Sequence, residues 1–217
     1  MNKTINNLAL INNEIKSNFG FLNNLKIIAV SKTFGMDSIK PLIENGHIHF
    51  GENKVQEALD KWSDVKKKNK NLKIHMIGKL QTNKVKHVVP LFDYIHSLDN
   101  LKLAQKISKE QKKYNKYLKI FIQINIGNES QKAGLDPKNL DEFYNTCVSE
   151  LELDIVGLMC IPPNDDNTKF YFDKMFKLKK LFNLPELSMG MSSDYIQAVE
   201  YGSTFLRIGS KIFGARD

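Results

Sequence analysis

The 217-residue sequence has only two cysteines, Cys147 and Cys160, and they lack CxxC spacing. Thiols so placed exclude a zinc ribbon, and they are too few for the disulfide framework of a small secreted domain. No apolar run approaches the roughly eighteen residues of a membrane span. The opening Met1-Asn-Lys-Thr-Ile-Asn-Asn lacks the compact apolar stretch and small-residue cleavage site of a signal peptide. A cytoplasmic location with no membrane partner is therefore expected. Arginine is also scarce: of 32 basic residues only Arg207 and Arg216 are arginine, which leaves 30 lysines.

What remains is an ordinary globular composition, 41% hydrophobic and 26% charged, of a length that suits one large domain spanning 1–217. The net charge of +8 raises the question of nucleic acid. Lys66-Lys67-Lys68-Asn69-Lys70 is the densest basic run, but it lies between a helical and a strand pattern with no aromatic interleaved. It reads as a solvated turn, and no nucleic-acid partner is expected.

Eight segments rich in β-branched residues read as strands: 26–30, 47–50, 72–77, 93–97, 118–126, 153–159, 186–189 and 204–208. Helical spacing occupies 38–44, 55–62, 101–114, 140–148, 170–182 and 195–201, with a shorter candidate at 81–89. Asp37 is the expected N-cap of 38–44, with Pro41 near its first turn and Gly46 as its stop. This alternation predicts a parallel sheet clothed in helices, closed as a (β/α)₈ barrel; an open doubly wound sheet is the competitor. The tail 211–217 is too short for a full eighth helix. Leu8, Ile11, Ile15 and Phe19 form an apolar stripe on an extra N-terminal helix that could fill the gap.

In such barrels function sits on loops at the C-terminal strand ends. Lys32 stands at the exit of the first strand; an amine in a partly apolar site loses its charge more readily and can attack an aldehyde. Ser188-Met-Gly-Met-Ser-Ser-Asp194 leads into a helix with Ser192 or Ser193 at its N-terminal turn, and Ile208-Gly-Ser-Lys-Ile212 offers a second small-residue turn, where Gly209 allows close approach of the backbone. Such loops after strands seven and eight suit a phosphate, or are two ordinary turns. Arg207 shares a strand face with Phe205. If that face is interior, the guanidinium needs either a core carboxylate or a ligand acceptor.

Six phrases carry a resemblance over nearly the whole chain: Ala29-Val-Ser-Lys-Thr33, Phe50-Gly-Glu-Asn-Lys-Val-Gln-Glu57, His75-Met-Ile-Gly-Lys-Leu-Gln-Thr-Asn-Lys84, Gly157-Leu-Met-Cys-Ile-Pro-Pro163, Leu187-Ser-Met-Gly-Met-Ser-Ser-Asp194 and Arg207-Ile-Gly-Ser-Lys-Ile-Phe-Gly214. In this order they resemble the pyridoxal 5′-phosphate homeostasis proteins, relatives of the N-terminal barrel of alanine racemase. The resemblance implies a barrel of that type with Lys32 carrying pyridoxal phosphate as a Schiff base. It implies phosphate binding by Ser192, Gly209 and Ser210, with Ser188 and Met189 lining that side. Arg207 would donate to the pyridine nitrogen, and Asn53 and His75 would lie near the ring or its phenolic oxygen. Lys79 stands where the family more often has histidine, so a role specific to that side chain is not carried over.

Arginine is too basic to give its proton to the pyridine, so the ring is a poorer electron sink. Racemases of this type add a tyrosine base from a separate C-terminal domain, which the sequence is not expected to include; Tyr195 and Tyr201 read as helix packing residues. The expected function is non-catalytic: a monomer that binds the cofactor, buffers or delivers it to apo pyridoxal phosphate-dependent enzymes, and so affects amino-acid and keto-acid balance. An amino-acid racemase or related α-carbon enzyme is the alternative.

Overall fold

Eight parallel strands close into a barrel in the computed structural model, which describes residues 2–129 and 131–214. Helix α1 (Lys3–Phe19) precedes β1 (Lys26–Val30), α2 (Met36–Glu44), β2 (His49–Glu52), α3 (Val55–Lys68) and β3 (Lys73–Met76). The chain continues through α4 (Val85–Leu91), β4 (Tyr94–Leu98), α5 (Leu101–Tyr114), β5 (Lys119–Ile124), α6 (Leu140–Asn145) and β6 (Asp154–Cys160). Then come α7 (Thr168–Leu181), β7 (Glu186–Ser188), α8 (Tyr195–Glu200), β8 (Phe205–Ile208) and the short α9 (Ser210–Phe213). Each strand pairs with the next in sequence, and β8 returns to β1 from Lys26↔Phe205 to Ala29↔Ile208. The fold is a TIM barrel, not an open sheet.

Helix α1 begins where the Asn2 side chain accepts the Thr4 backbone N–H at 3.0 Å. It buries Leu8, Ile11 and Ile15 and packs against α2, α8 and α9, covering the flank that the short α9 leaves open. Residues 215–217 of the tail lie outside the described residues. No helix among the described residues is long and apolar enough to cross a membrane.

Four local expectations are corrected. β2 runs His49–Glu52 rather than 47–50, because Gly51 and Glu52 pair with His75 and Met76; a Cβ on Gly51 would lie 2.8 Å from Ile28 Cγ2. Helix α2 starts at Met36 with Gly35 as its cap and no side-chain bond, so Asp37 is a first-turn residue favoured by the helix dipole. Pro41 consequently sits in the second turn, where it removes one helical hydrogen bond. Finally, α3 continues to Lys68, so Lys66, Lys67 and Lys68 form its last turn rather than a solvated turn. Cations there complement the helix dipole, and Lys66 pairs with Asp93.

The strands have two different faces. Their outer side packs on the helices through Leu42, Trp62, Val88, Ile107 and Phe172, among others. The inner side holds a smaller cluster of Ile28, Tyr94, Phe121, Val156, Met159 and Phe205. Polar His75, His96, Ser188 and Arg207 are buried as well, and their ring and hydrogen-bond contacts place them in that interior.

Candidate functional site

Lys32 follows β1 in a turn that the sequence strains and then restrains. The next residue, Thr33, has φ +69°, a left-handed conformation that β-branched side chains rarely adopt. Its N–H donates to Glu57 Oε1 at 2.5 Å. Behind the turn, the Lys61 ammonium donates to the Ser31 carbonyl at 2.8 Å and to Glu52 and Glu57 at 3.0 Å each. Ser31 Oγ and Trp62 Nε1 donate to the same Glu52 oxygen at 2.7 and 2.9 Å. Burial pushes the Glu57 carboxyl up, but the Lys61 and Thr33 hydrogen bonds outweigh it and hold the group below its ordinary range. Such a network over-determines the turn, as a strained residue requires.

Arg207 projects inward from β8 with only 5% of its surface exposed. Among the described residues no carboxylate forms an ion pair with it. Instead Nη1 donates to Ser188 Oγ and Nη2 to the Cys160 carbonyl, both at 2.8 Å. The loop after β7 is shaped by Gly190 at φ +91°, where a Cβ would meet Ala198 Cβ at 2.5 Å; the Gly190 carbonyl accepts the Arg207 N–H at 2.9 Å. Ser192 Oγ in turn accepts the Lys211 N–H at 3.4 Å, which joins the loops after β7 and β8.

These pieces surround a cavity of about 410 Å³ at the C-terminal mouth. Lys32, Asn53, Ser192, Arg207, Gly209 and Ser210 all line it. Ser188, Met189 and His75 do not. Ser188 lies one contact behind Arg207, His75 is further down the barrel interior, and Met189 is packed in the layer between strands and helices. The cavity also has apolar walls from Phe34, Ile77, Ile161 and Met191, which the sequence reading did not single out. Nor did it single out Glu52, Glu57 and Lys61, although the first two stand in one of the quoted phrases; spacing alone does not say that a helix carboxylate reaches a loop N–H.

Two features of the lining bear on what the cavity can hold. Asn53 Oδ1 is buried without a partner in the protein, while Gly78 presses on the Asn53 backbone so closely that a Cβ would meet its carbonyl oxygen at 2.5 Å. At Gly209 the nearest atom to a Cβ would be Val30 Cβ at an ordinary 3.5 Å, so its missing side chain relieves no internal clash and leaves room on the cavity side.

Comparison with known proteins agrees with this architecture. Residues 6–217 match the family described as alanine racemase, N-terminal domain. A pyridoxal phosphate homeostasis protein from Aquifex aeolicus is 39% identical over 200 residues, covering 88% of this chain and 87% of that protein. The structure of PipY from Synechococcus elongatus PCC7942 with PLP bound superposes with a TM-score of 0.85 at 32% identity, over 97% of this chain and all of that one. An alanine racemase from Clostridium difficile 630 shares the fold at 17% identity and a TM-score of 0.74, with all of this chain matching 57% of the longer protein. Sequence phrases, closed barrel and these likenesses agree: the chain belongs to the pyridoxal phosphate homeostasis protein family, built on the alanine racemase N-terminal domain.

Proposed function

We propose that this chain binds pyridoxal 5′-phosphate in the C-terminal cavity, holds it covalently through Lys32, and serves in its homeostasis by buffering or delivery. The carrying observation is that one cavity gathers Lys32 from the first strand exit with Ser192, Arg207, Gly209 and Ser210 from the last two loops. Bound there, pyridoxal phosphate supplies an aldehyde for an amine and a conjugated ring able to accept electron density. Lys32 offers the amine, on a turn held by Glu57 and Lys61. Arg207 directs a donor at the pyridine nitrogen, Ser192, Gly209 and Ser210 take the phosphate, and Asn53 lies at the phenolic oxygen, for which its amide nitrogen is the donor. Ser188 and His75 act from behind Arg207, and Met189 shapes the loop after β7.

The same residues favour a carrier over an enzyme. Arg207 retains its own proton, so the pyridine is not protonated and an α-carbanion is poorly stabilised. A second base is also needed, and Tyr195 does not suit that task. Burial and the Glu14 carboxylate push its hydroxyl pKa up, and the hydroxyl is held by Glu14 and, at 3.2 Å, by Lys211. The reading is completed by a single-domain cytoplasmic monomer whose recipients are apo pyridoxal phosphate-dependent enzymes.

Borohydride reduction of the protein with pyridoxal phosphate, followed by peptide mass spectrometry, tests this directly. The adduct is expected on Lys32, and Lys32→Ala is expected to lose both adduct and visible absorption. A protein that stays colourless, or is modified only at other lysines, overturns the cofactor reading. Sustained racemisation of any single amino-acid enantiomer overturns the carrier reading.

A further inference from the structure

A continuous line of hydrogen bonds runs down the barrel interior, away from the cavity. Arg207 Nη1 is 2.8 Å from Ser188 Oγ, which is 2.9 Å from His96 Nδ1. His96 Nε2 is 2.9 Å from His75 Nδ1, and His75 Nε2 is 2.9 Å from His49 Nδ1. Ser188, His96 and His75 have no exposure to solvent, whereas His49 is half-buried. The ring planes are held as well: His75 stacks on Tyr94 and His96 on Phe121, each with centroids 4.3 Å apart.

The line has one direction. A guanidinium has donors and no acceptor, so the Ser188 oxygen must accept from Arg207. The buried Ser188 proton then has His96 Nδ1 as its partner. His96 must carry its own proton on Nε2 and donate to His75, which by the same logic carries its proton on Nε2 and donates to His49. Reversing the line would leave the Ser188 proton without an acceptor, and a buried hydroxyl does not forgo its bond cheaply. Burial also holds both inner histidines well below their ordinary pKa, so each has one ring proton to place.

We propose that Ser188, His96 and His75 are positioning residues for Arg207, a one-way relay that holds one edge of the guanidinium while the Cys160 carbonyl holds another and its free donors face the cavity. The inference rests on Arg207 meeting the cofactor ring and names what aims it there.

Isotope-edited NMR of the histidine ring nitrogens in the ligand-free wild type tests the direction without any cofactor. His75 and His96 are both expected as the Nε2–H tautomer throughout the neutral pH range, and an Nδ1–H tautomer at either ring overturns the relay. The positioning role is read from pyridoxal phosphate release in His96→Leu and His96→Gln. Glutamine can present an oxygen to Ser188 and an N–H to His75; leucine can present neither. His96→Leu is expected to release the cofactor about tenfold faster with a displaced absorption band, and His96→Gln to restore release to within about twofold of wild type. Wild-type release from a folded His96→Leu overturns the role. If the wild type takes up no pyridoxal phosphate, the cofactor reading and the positioning role fall together, while the tautomers still report whether the relay exists.

Discussion

Compared with the layer between strands and helices, the barrel interior is small, aromatic and polar. The outer layer joins helix residues such as Leu42, Trp62, Val88 and Phe172 to strand residues such as Ile74 and Ile120, so its shape can adjust from both sides. The interior is supplied by strands alone. Interiors of this fold are usually packed with branched aliphatic side chains; here His75, Tyr94, His96 and Phe121 occupy much of it, with Ser188 and Arg207 above them. Apolar burial is thus concentrated outside the sheet and hydrogen-bonded order inside it. Stability and site function become separable along the same eight strands.

The sharpest break of that comparison is a cavity in the outer layer. Phe172→Ala, at a fully buried position on α7, is expected to cost about 3–5 kcal/mol in chemical denaturation. The folded fraction should keep its pyridoxal phosphate absorption, and a parallel loss of cofactor would erase the distinction. The interior responds to pH instead. Burial, then the charges of His47, Lys26 and Lys73, lower the His49 pKa to about 4, against a smaller opposing effect of Asp93. A histidine with a lowered folded pKa binds protons more readily when unfolded, so stability rises with pH between about 4 and its ordinary value near 6.5 and falls as pH drops through that window. His49 alone removes on the order of 3 kcal/mol by pH 4, and His75 and His96 act in the same direction. A denaturation midpoint flat from pH 6.5 to 4 would mean that these rings take up protons as readily in the folded protein as in the unfolded chain.

The two faces also differed in how far they could be read beforehand. Strand segments and the stripe of Leu8, Ile11 and Ile15 announce themselves because burial on one side imposes a period. Lys32, Arg207 and Gly209 were legible because the loops after the first and last strands must meet in a closed barrel, and the structure brings them to one cavity. The relay was not legible. Period-two alternation puts His96 on the same strand face as Tyr94, yet only the barrel's closure brings His96 to Ser188, 92 positions away in sequence. Met189, next to Ser188 in the chain and just past the end of β7, packs its side chain in the outer layer instead. The GENKVQE phrase was visible, but not that Glu57 secures Thr33.

A smaller effect probes the junction of the two faces. In Gly78→Ala the added methyl would lie 2.5 Å from the Asn53 carbonyl oxygen, a backbone atom with little freedom to withdraw. The expected outcome is a loss of about 2 kcal/mol in stability together with weaker pyridoxal phosphate binding, measured by equilibrium titration. Unchanged binding would show that Asn53 has no part in holding the ligand.

The smallest effects belong to the lysine-rich end of α3, where adjacent residues of one basic run behave differently. Lys66 is drawn inward: its ammonium donates to the Leu91 carbonyl at 2.6 Å and pairs with Asp93, which also accepts the Ile74 N–H at 2.8 Å. Burial lowers its pKa despite the favourable carboxylate. Lys67 pairs with Asp64 in open solvent, with side chains 76% and 85% exposed. Lys66→Ala should therefore cost about 1–2 kcal/mol, largely independent of salt, because a half-buried charge-assisted bond ties α3 to the start of β4. Lys67→Ala should leave the unfolding midpoint in place at any ionic strength, since an exposed pair is screened and its ordering entropy offsets its attraction. Equal effects from the two lysines would mean that charge density, rather than burial against the strand ends, sets what this run contributes.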